Sequence, residues 1–313
     1  MTVPTQILVV VDPTEAAQPA LAHAAALARK TRSRLELFIC AYDAQLLETD
    51  FVDAAALSKA RAALIEGHVH RLRLLAKPLL DQGLSVTVDA RWDSPLHEGI
   101  VRKAVDSQAD LVVKDTHYHP LIKRSIFSNT DWHLIRECPT PLWLVKPRAI
   151  AAKPCFIAAI DPLHEMDKPA ELDHAIMTAA TELAAASGGE THAYHAFDIT
   201  STLAVSTPIS APIVLPVKEI IEAVTEQHSA ATYELTDRYR VPRERVHIHQ
   251  GGARDGLVAL AERLRADVVV MGAVSRRGLS RIFIGNTAED VLDKIACDVL
   301  VVKPPTLAAK LRG

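Results

Sequence analysis

A gap-free internal repeat constrains this chain more than any other feature. Asp110-Leu-Val-Val opens a segment that closes at Lys146-Pro147, and Asp267-Val-Val-Val opens one that closes at Lys303-Pro304. Both ends are displaced by 157 residues, and within that frame Arg124 meets Arg281, Asn129 meets Asn286 and Thr130 meets Thr287. The front portions align as well: Ile7-Leu-Val-Val-Val-Asp12-Pro13 answers Phe156-Ile-Ala-Ala-Ile-Asp161-Pro162 at a displacement of 149. The second copy has therefore gained eight residues (157 against 149), mostly around its first helix. A chain of 313 residues accommodates two units of ordinary domain size. The division that follows is 1–147 for the first domain, 148–153 for a linker and 154–313 for the second.

Each copy alternates short apolar runs with helical stretches. In the first, Ile7–Val11, Leu35–Ala41, Val86–Ala90, Leu111–Val113 and Leu142–Val145 have strand length and β-branched content. Helices are expected from near Pro13, over Ala54 to Leu80 with Pro78 as a kink or stop, from Ser94-Pro95, and from Asn129 into Cys138. Aromatics make up only 4% of the chain, so Val, Ile, Leu and Ala must build the interior, as in buried parallel strands under Ala/Leu-rich helices. The expected fold class is α/β: two doubly wound, five-stranded parallel-sheet domains in tandem, Rossmann-like, with ligands at the carboxyl ends of the strands.

Charge and composition exclude several functions. A net charge of −3 gives no global attraction for nucleic acid or anionic membrane. The four cysteines (Cys40, Cys138, Cys155, Cys297) form no Cys-x-x-Cys pair and read as reduced and structural. No signal peptide or long apolar span is present, which points to a cytoplasmic protein.

The loop after Met271 carries the chemistry. A buried run ends at Gly272, followed by Ser275, Arg276, Arg277 and Arg281, and then Gly285-Asn286-Thr287 before a helix. Gly272 allows close backbone approach, Asn286 and Thr287 suit an N-cap, and free N–H groups at a helix start attract anions. Arg276 and its neighbours offer cationic partners for phosphate. Ordinary turn and capping chemistry accounts for the same residues.

This spacing resembles the universal stress protein signature: glycine, two residues, glycine, nine residues, glycine and Ser or Thr. Here Gly272 and Gly285 fill two glycine places, Ser275 replaces the middle glycine, and Asn286 replaces the hydroxyl residue. Thr130-Asp131-Trp132-His133-Leu134 before Cys138-Pro139, and Gly285-Asn286-Thr287-Ala288-Glu289, are similar to the tandem E type of that family. The resemblance implies a stress-response role through small-ligand binding. It also implies ATP in the second domain, with Asp161 at the position where nucleotide-binding members contact the adenosine moiety. Within the family the last strands of two domains meet across a twofold axis, so Leu142–Val145 and Val299–Val302 are expected to pair inside this chain. A homodimer or a further protein partner is compatible with that arrangement.

The first copy departs from the signature. Gly272 becomes Asp115, Ser275 becomes Tyr118 and Gly285 becomes Ser128, so a carboxylate stands where phosphate would lie and no nucleotide is expected there. The paired histidines His68/His70, His117/His119 and His247/His249 lack a completing acidic or thiol ligand, so no metal is expected. No nucleophile elbow, Walker loop or zincin motif occurs, so no enzyme is expected beyond slow ATP hydrolysis. The apolar, proline-punctuated stretch Leu203–Pro216 leaves open an apolar or amphipathic ligand, or a ligand-free interaction module.

Overall fold

A computed structural model of the protein describes residues 3–46, 53–116, 128–163, 170–199, 217–275, 282–283, 291–292 and 294–312. Strands β1 (Gln6–Val10), β2 (Arg34–Ala41), β3 (Val86–Trp92), β4 (Leu111–Asp115) and β5 (Leu142–Val145) lie in the order β3-β2-β1-β4-β5. Their counterparts are β6 (Cys155–Ala159), β7 (Glu190–Phe197), β8 (Val246–Gln250) and β9 (Val268–Gly272). Two short strands follow, β10 (Val274–Ser275) and β11 (Ile282–Phe283), and then β12 (Asp298–Val302). The second half-sheet runs β12-β9-β6-β7-β8, while β10 and β11 form a separate antiparallel ribbon. All neighbours within a half pair parallel. The register repeats with the sequence: Val112 faces Leu142 on β4–β5, and Val269 faces Val299 on β9–β12.

The halves join edge to edge. β5 pairs antiparallel with β12, Trp143 opposite Leu300, which makes one ten-stranded sheet. This is the strand meeting that the family resemblance implied. Because the sheet is continuous, so is each core. One apolar cluster combines Leu37 and Trp143 with Phe156 and Leu300, and the other combines Phe38 and Leu144 with Ile157 and Val299. Each such side chain, fully buried, contributes about 1.5–3 kcal/mol.

Helices α1 (Pro19–Thr31), α2 (Ala54–Asp81), α3 (Leu96–Asp106) and α4 (Asn129–Glu137) cover the first half. α5 (Ala170–Ser187), α6 (Val217–Arg238), α7 (Ala253–Leu264) and α8 (Pro305–Arg312) belong to the second. α5 has 18 residues against 13 in α1, so part of the insertion lengthens that helix as expected. Other boundaries differ from the sequence expectation for local reasons. α1 starts at Pro19 because the Asp12 carboxylate accepts from the Thr14 N–H (2.7 Å) and hydroxyl (2.6 Å), holding the preceding residues in a turn. α2 runs three residues past Pro78, which sits in its last turn. Pro95 occupies the N-cap of α3 rather than its first turn. α4, by contrast, starts at Asn129 and ends against Cys138 as expected, with Ser128 as its N-cap in a reciprocal capping box with Asp131.

Repeat-equivalent residues also tie the halves together. Asp110 accepts from the backbone N–H groups of Thr5 (2.8 Å) and Gln6 (3.0 Å) ahead of β1. Its counterpart Asp267 accepts from Ala151 (3.2 Å) and Cys155 (2.9 Å) ahead of β6, and from Arg148 (2.7 Å). After the last strand of each half comes a buried lysine that crosses the seam. Lys146 donates to the carbonyl of Ile295, and Lys303 donates to the carbonyl of Cys138, the matching position in the other half. All four cysteines are buried and free.

Candidate functional site

The carboxyl edge of the sheet is where strand direction leaves side chains and backbone ends converging, and each half has such an edge between its first and fourth strands. In the first half a cavity of about 330 Å³ opens there. The ends of β1 (Val10, Val11, Asp12), β2 (Cys40, Ala41) and β4 (Lys114, Asp115) make its floor. Leu96 and Ile100 of α3 and the start of α4 (Ser128, Thr130) make one wall, and His68 of α2 contributes another side.

Its electrostatics are acidic. Asp115 is buried, and its carboxylate accepts from the Ala20 N–H at the start of α1 (2.6 Å). Lys114 does not offset it toward a ligand, because its ammonium is committed to Asp131 (2.8 Å) and to the Asp115 carbonyl (2.9 Å). Burial, with the nearby Arg71 charge, holds His68 below its ordinary range and so keeps it neutral at pH 7. Burial first, then the Asp93 charge, pushes the Cys40 thiol up to about 12, so it stays protonated and is no nucleophile. The arrangement can bind a small molecule with an apolar body and a neutral or cationic polar group. Asp115, on which the expectation of no nucleotide here rests, is buried at the end of β4; Tyr118 lies outside the described residues.

In the second half, Asp161 and Gly272 come together. Ala158 of β6 pairs with Val270 of β9, so the residues two to three further on stand side by side at the same edge. The Asp161 N–H donates to Asp173, which is buried in the first turn of α5 (3.0 Å). Behind this edge His195 of β7 bridges the Ile160 carbonyl (3.2 Å, from Nδ1) and His228 of α6 (2.8 Å, Nε2 to Nδ1). Phe197 stacks on His228 at 4.3 Å. Thirty-three residues separate the two histidines, so nothing in the local sequence pattern announced the pair. The backbone of Ser275 lies in β10. Arg276, Gly285, Asn286 and Thr287 lie outside the described residues, as does Leu203–Pro216.

Gly272 has a packing reason for being glycine. A Cβ there would lie 2.4 Å from Cδ2 of Leu172, a fully buried side chain of α5. Gly272→Ala should therefore cost about 1–3 kcal/mol, the usual penalty for overfilling a core. In a Leu172→Ala background that cost should vanish, giving a coupling above about 0.5 kcal/mol in a urea-denaturation cycle. Additive losses would mean that Leu172 does not set the residue at 272.

A doubly wound half-sheet used twice defines a tandem-repeat α/β class. Within that class the chain belongs to the universal stress protein family, whose profile matches residues 5–146 and again 165–303. Universal stress protein E of Salmonella typhi is 31% identical over 302 residues, covering 95% of this chain and 94% of that one. The Haemophilus influenzae universal stress protein E homolog is 25% identical, over 95% and 97% of the two chains. Among solved structures, a functionally unknown protein of Pseudomonas aeruginosa PAO1 superposes with a TM-score of 0.76 at 28% identity, covering 99% of this chain and 96% of that chain. A universal stress protein of Archaeoglobus fulgidus shares the fold (TM-score 0.62, 15% identity, 96% and 98% covered).

Proposed function

We propose that the protein acts in the cytoplasm as a stress-response protein that responds to bound small molecules, with ATP in its second half and no dedicated catalysis. The observation that supports this reading is the difference between the two carboxyl edges. The first carries the buried carboxylate of Asp115 at the end of β4, and the second carries Gly272 at the equivalent place. The second has no carboxylate at that position, and Gly272 stands beside Asp161, where the family resemblance puts the adenosine contact. The basic residues from Arg276 onward and the Gly285-Asn286-Thr287 turn are the proposed phosphate partners. Among the described residues no helix is long and apolar enough to cross a membrane.

Millimolar Mg-ATP, at about 100 times its dissociation constant, should stabilise the native chain by roughly 2.7 kcal/mol. Thermal unfolding should show a rise of several degrees that disappears in a Gly285→Trp variant. An equal rise in the variant, or none in wild-type protein shown by mass spectrometry to be free of ligand, would remove ATP from this reading.

The first-half cavity favours a second ligand of different chemistry. Its floor, apolar at Val10, Val11 and Ala41 and carrying the carboxylates of Asp12 and Asp115, suits an amphipathic molecule without phosphate.

A further inference from the structure

Helices α3 and α4 pack against each other beside the first-half cavity and bring three ligand-type side chains to one place. His97 is the second residue of α3, and His133 and Glu137 stand four apart on one face of α4. One oxygen of the Glu137 carboxylate lies 3.3 Å from Nε2 of His97, and the other lies 2.9 Å from Nδ1 of His133. The two imidazoles lie nearly parallel, centroids 4.0 Å apart. One donor atom from each of the three residues lies within 4.8 Å of the others.

We propose that His97, His133 and Glu137 form a binding site for a divalent transition-metal ion, zinc by its donor chemistry, that clamps α3 to α4. A four-coordinate zinc with bonds near 2.0–2.1 Å holds its donors about 3.3 Å apart. The nitrogen–oxygen separations of 3.3 and 2.9 Å already lie close to that spacing. Two imidazoles and a carboxylate are a borderline-soft set that suits zinc, cobalt or nickel rather than magnesium or calcium. Side-chain exposures of 34% for His133 and 43% for Glu137 leave an entry path and room for a water as fourth ligand, while His97, at 13%, anchors the site against the protein.

A second cluster, Cys155, Glu190 and His192, is a weaker candidate. The Cys155 thiol is pushed up to about 12, chiefly by burial, so it resists becoming the thiolate that a metal needs. Glu190 is engaged by Arg245 (2.8 Å), and His192 by His247 (3.0 Å). The α3–α4 trio has no comparable obstacle. Because Leu96 and Ile100 of α3 and Thr130 of α4 line the cavity, an ion held there fixes the wall they make.

The test is a cobalt titration of full-length protein stripped with chelator, read by visible d–d absorption, followed by displacement with zinc in a calorimeter. One ion per chain is expected, with a rise in melting temperature on adding zinc. His133→Ala and Glu137→Gln should each weaken binding by more than about 100-fold, since loss of an outer-shell partner alone costs 10–100-fold. His192→Ala should leave it unchanged. Melting curves in chelator identify variants that still fold, and the exposed Glu137 keeps the test open if His133→Ala does not. No saturable binding at micromolar zinc would overturn the proposal. So would binding that survives Glu137→Gln or disappears with His192→Ala.

Discussion

Asp298→Ala should lower the stability of the whole chain by about 3–5 kcal/mol, the cost of removing one partner from a buried charged network. Asp298 opens β12 at the seam and is almost completely buried. One carboxylate oxygen faces Nδ1 of His23 (3.0 Å) and accepts from the indole N–H of Trp143 (3.0 Å), and the other accepts from the Lys146 N–H (2.9 Å). Alanine leaves the Trp143 and Lys146 donors buried with nothing to accept from them, which is where the penalty arises. His23 belongs to α1 of the first half, and its other ring nitrogen faces the Arg148 carbonyl (3.0 Å). The network therefore spans the first half, the linker and the second half. With the sheet and both cores continuous across the same seam, urea denaturation should remain a single transition at a lower midpoint when followed by tryptophan fluorescence and by circular dichroism. Asp298→Asn, which keeps an acceptor, should fall between wild type and alanine. A loss below about 1 kcal/mol, ordinary for a surface substitution, would show that the seam does not depend on this carboxylate.

Between pH 7 and pH 10 the wild type should gain about 2–3 kcal/mol of stability relative to Lys303→Met. Burial of the Lys303 ammonium brings it down from 10.5 to about 8, with the Cys138 and Glu137 charges acting in the opposite direction. Below pH 8 both folded and unfolded chains hold the proton, and the folded chain bears the full cost of burying the charge. From about 8 to 10.5 the folded lysine has released its proton while the unfolded one has not, so stability rises with pH across that window. Methionine keeps the volume and apolar stem but does not titrate, so subtracting its pH profile isolates Lys303. Denaturation at several pH values, in chelator so that Glu137 is metal-free, provides the measurement; parallel profiles would exclude a buried, proton-releasing lysine. The amine still donates to the Cys138 carbonyl in either form, so the seam contact persists through the titration.

Much of the architecture could be read along the chain because it depends on periodic features. Strand-length apolar runs placed β1 to β5 to within a few residues, and the constant displacement of 157 between Asp110 and Asp267 reappears as identical register in β4–β5 and β9–β12. The pairing of β5 with β12 was expected from the family resemblance, and it covers the last-strand edge of each copy. Asp115 could be read as an obstacle to phosphate because its aligned partner is glycine, and the structure places that carboxylate buried at the strand end. Boundaries were harder where a side chain competes with the backbone: Asp12 delays α1 by capturing Thr14.

The remaining features come from side chains that meet across long sequence distances. Gly272 looked like a ligand-loop glycine, and its contact with Leu172 from a longer first helix supplies a packing cause that no spacing rule contains. The first-half cavity is bounded by the ends of three strands and three helices that lie far apart along the chain. His97 and His133 share no local motif and sit on different helices, yet the packing of α3 on α4 stacks their rings. Asp298 and its partners His23, Trp143 and Lys146 span 275 positions and share one pocket only when two half-sheets close edge to edge. Hydrophobic period and repeat spacing are local or additive along the chain, so they can be read from one dimension. The convergence of polar groups depends on helix lengths, crossing positions and strand edges together, and takes shape only when the core is packed.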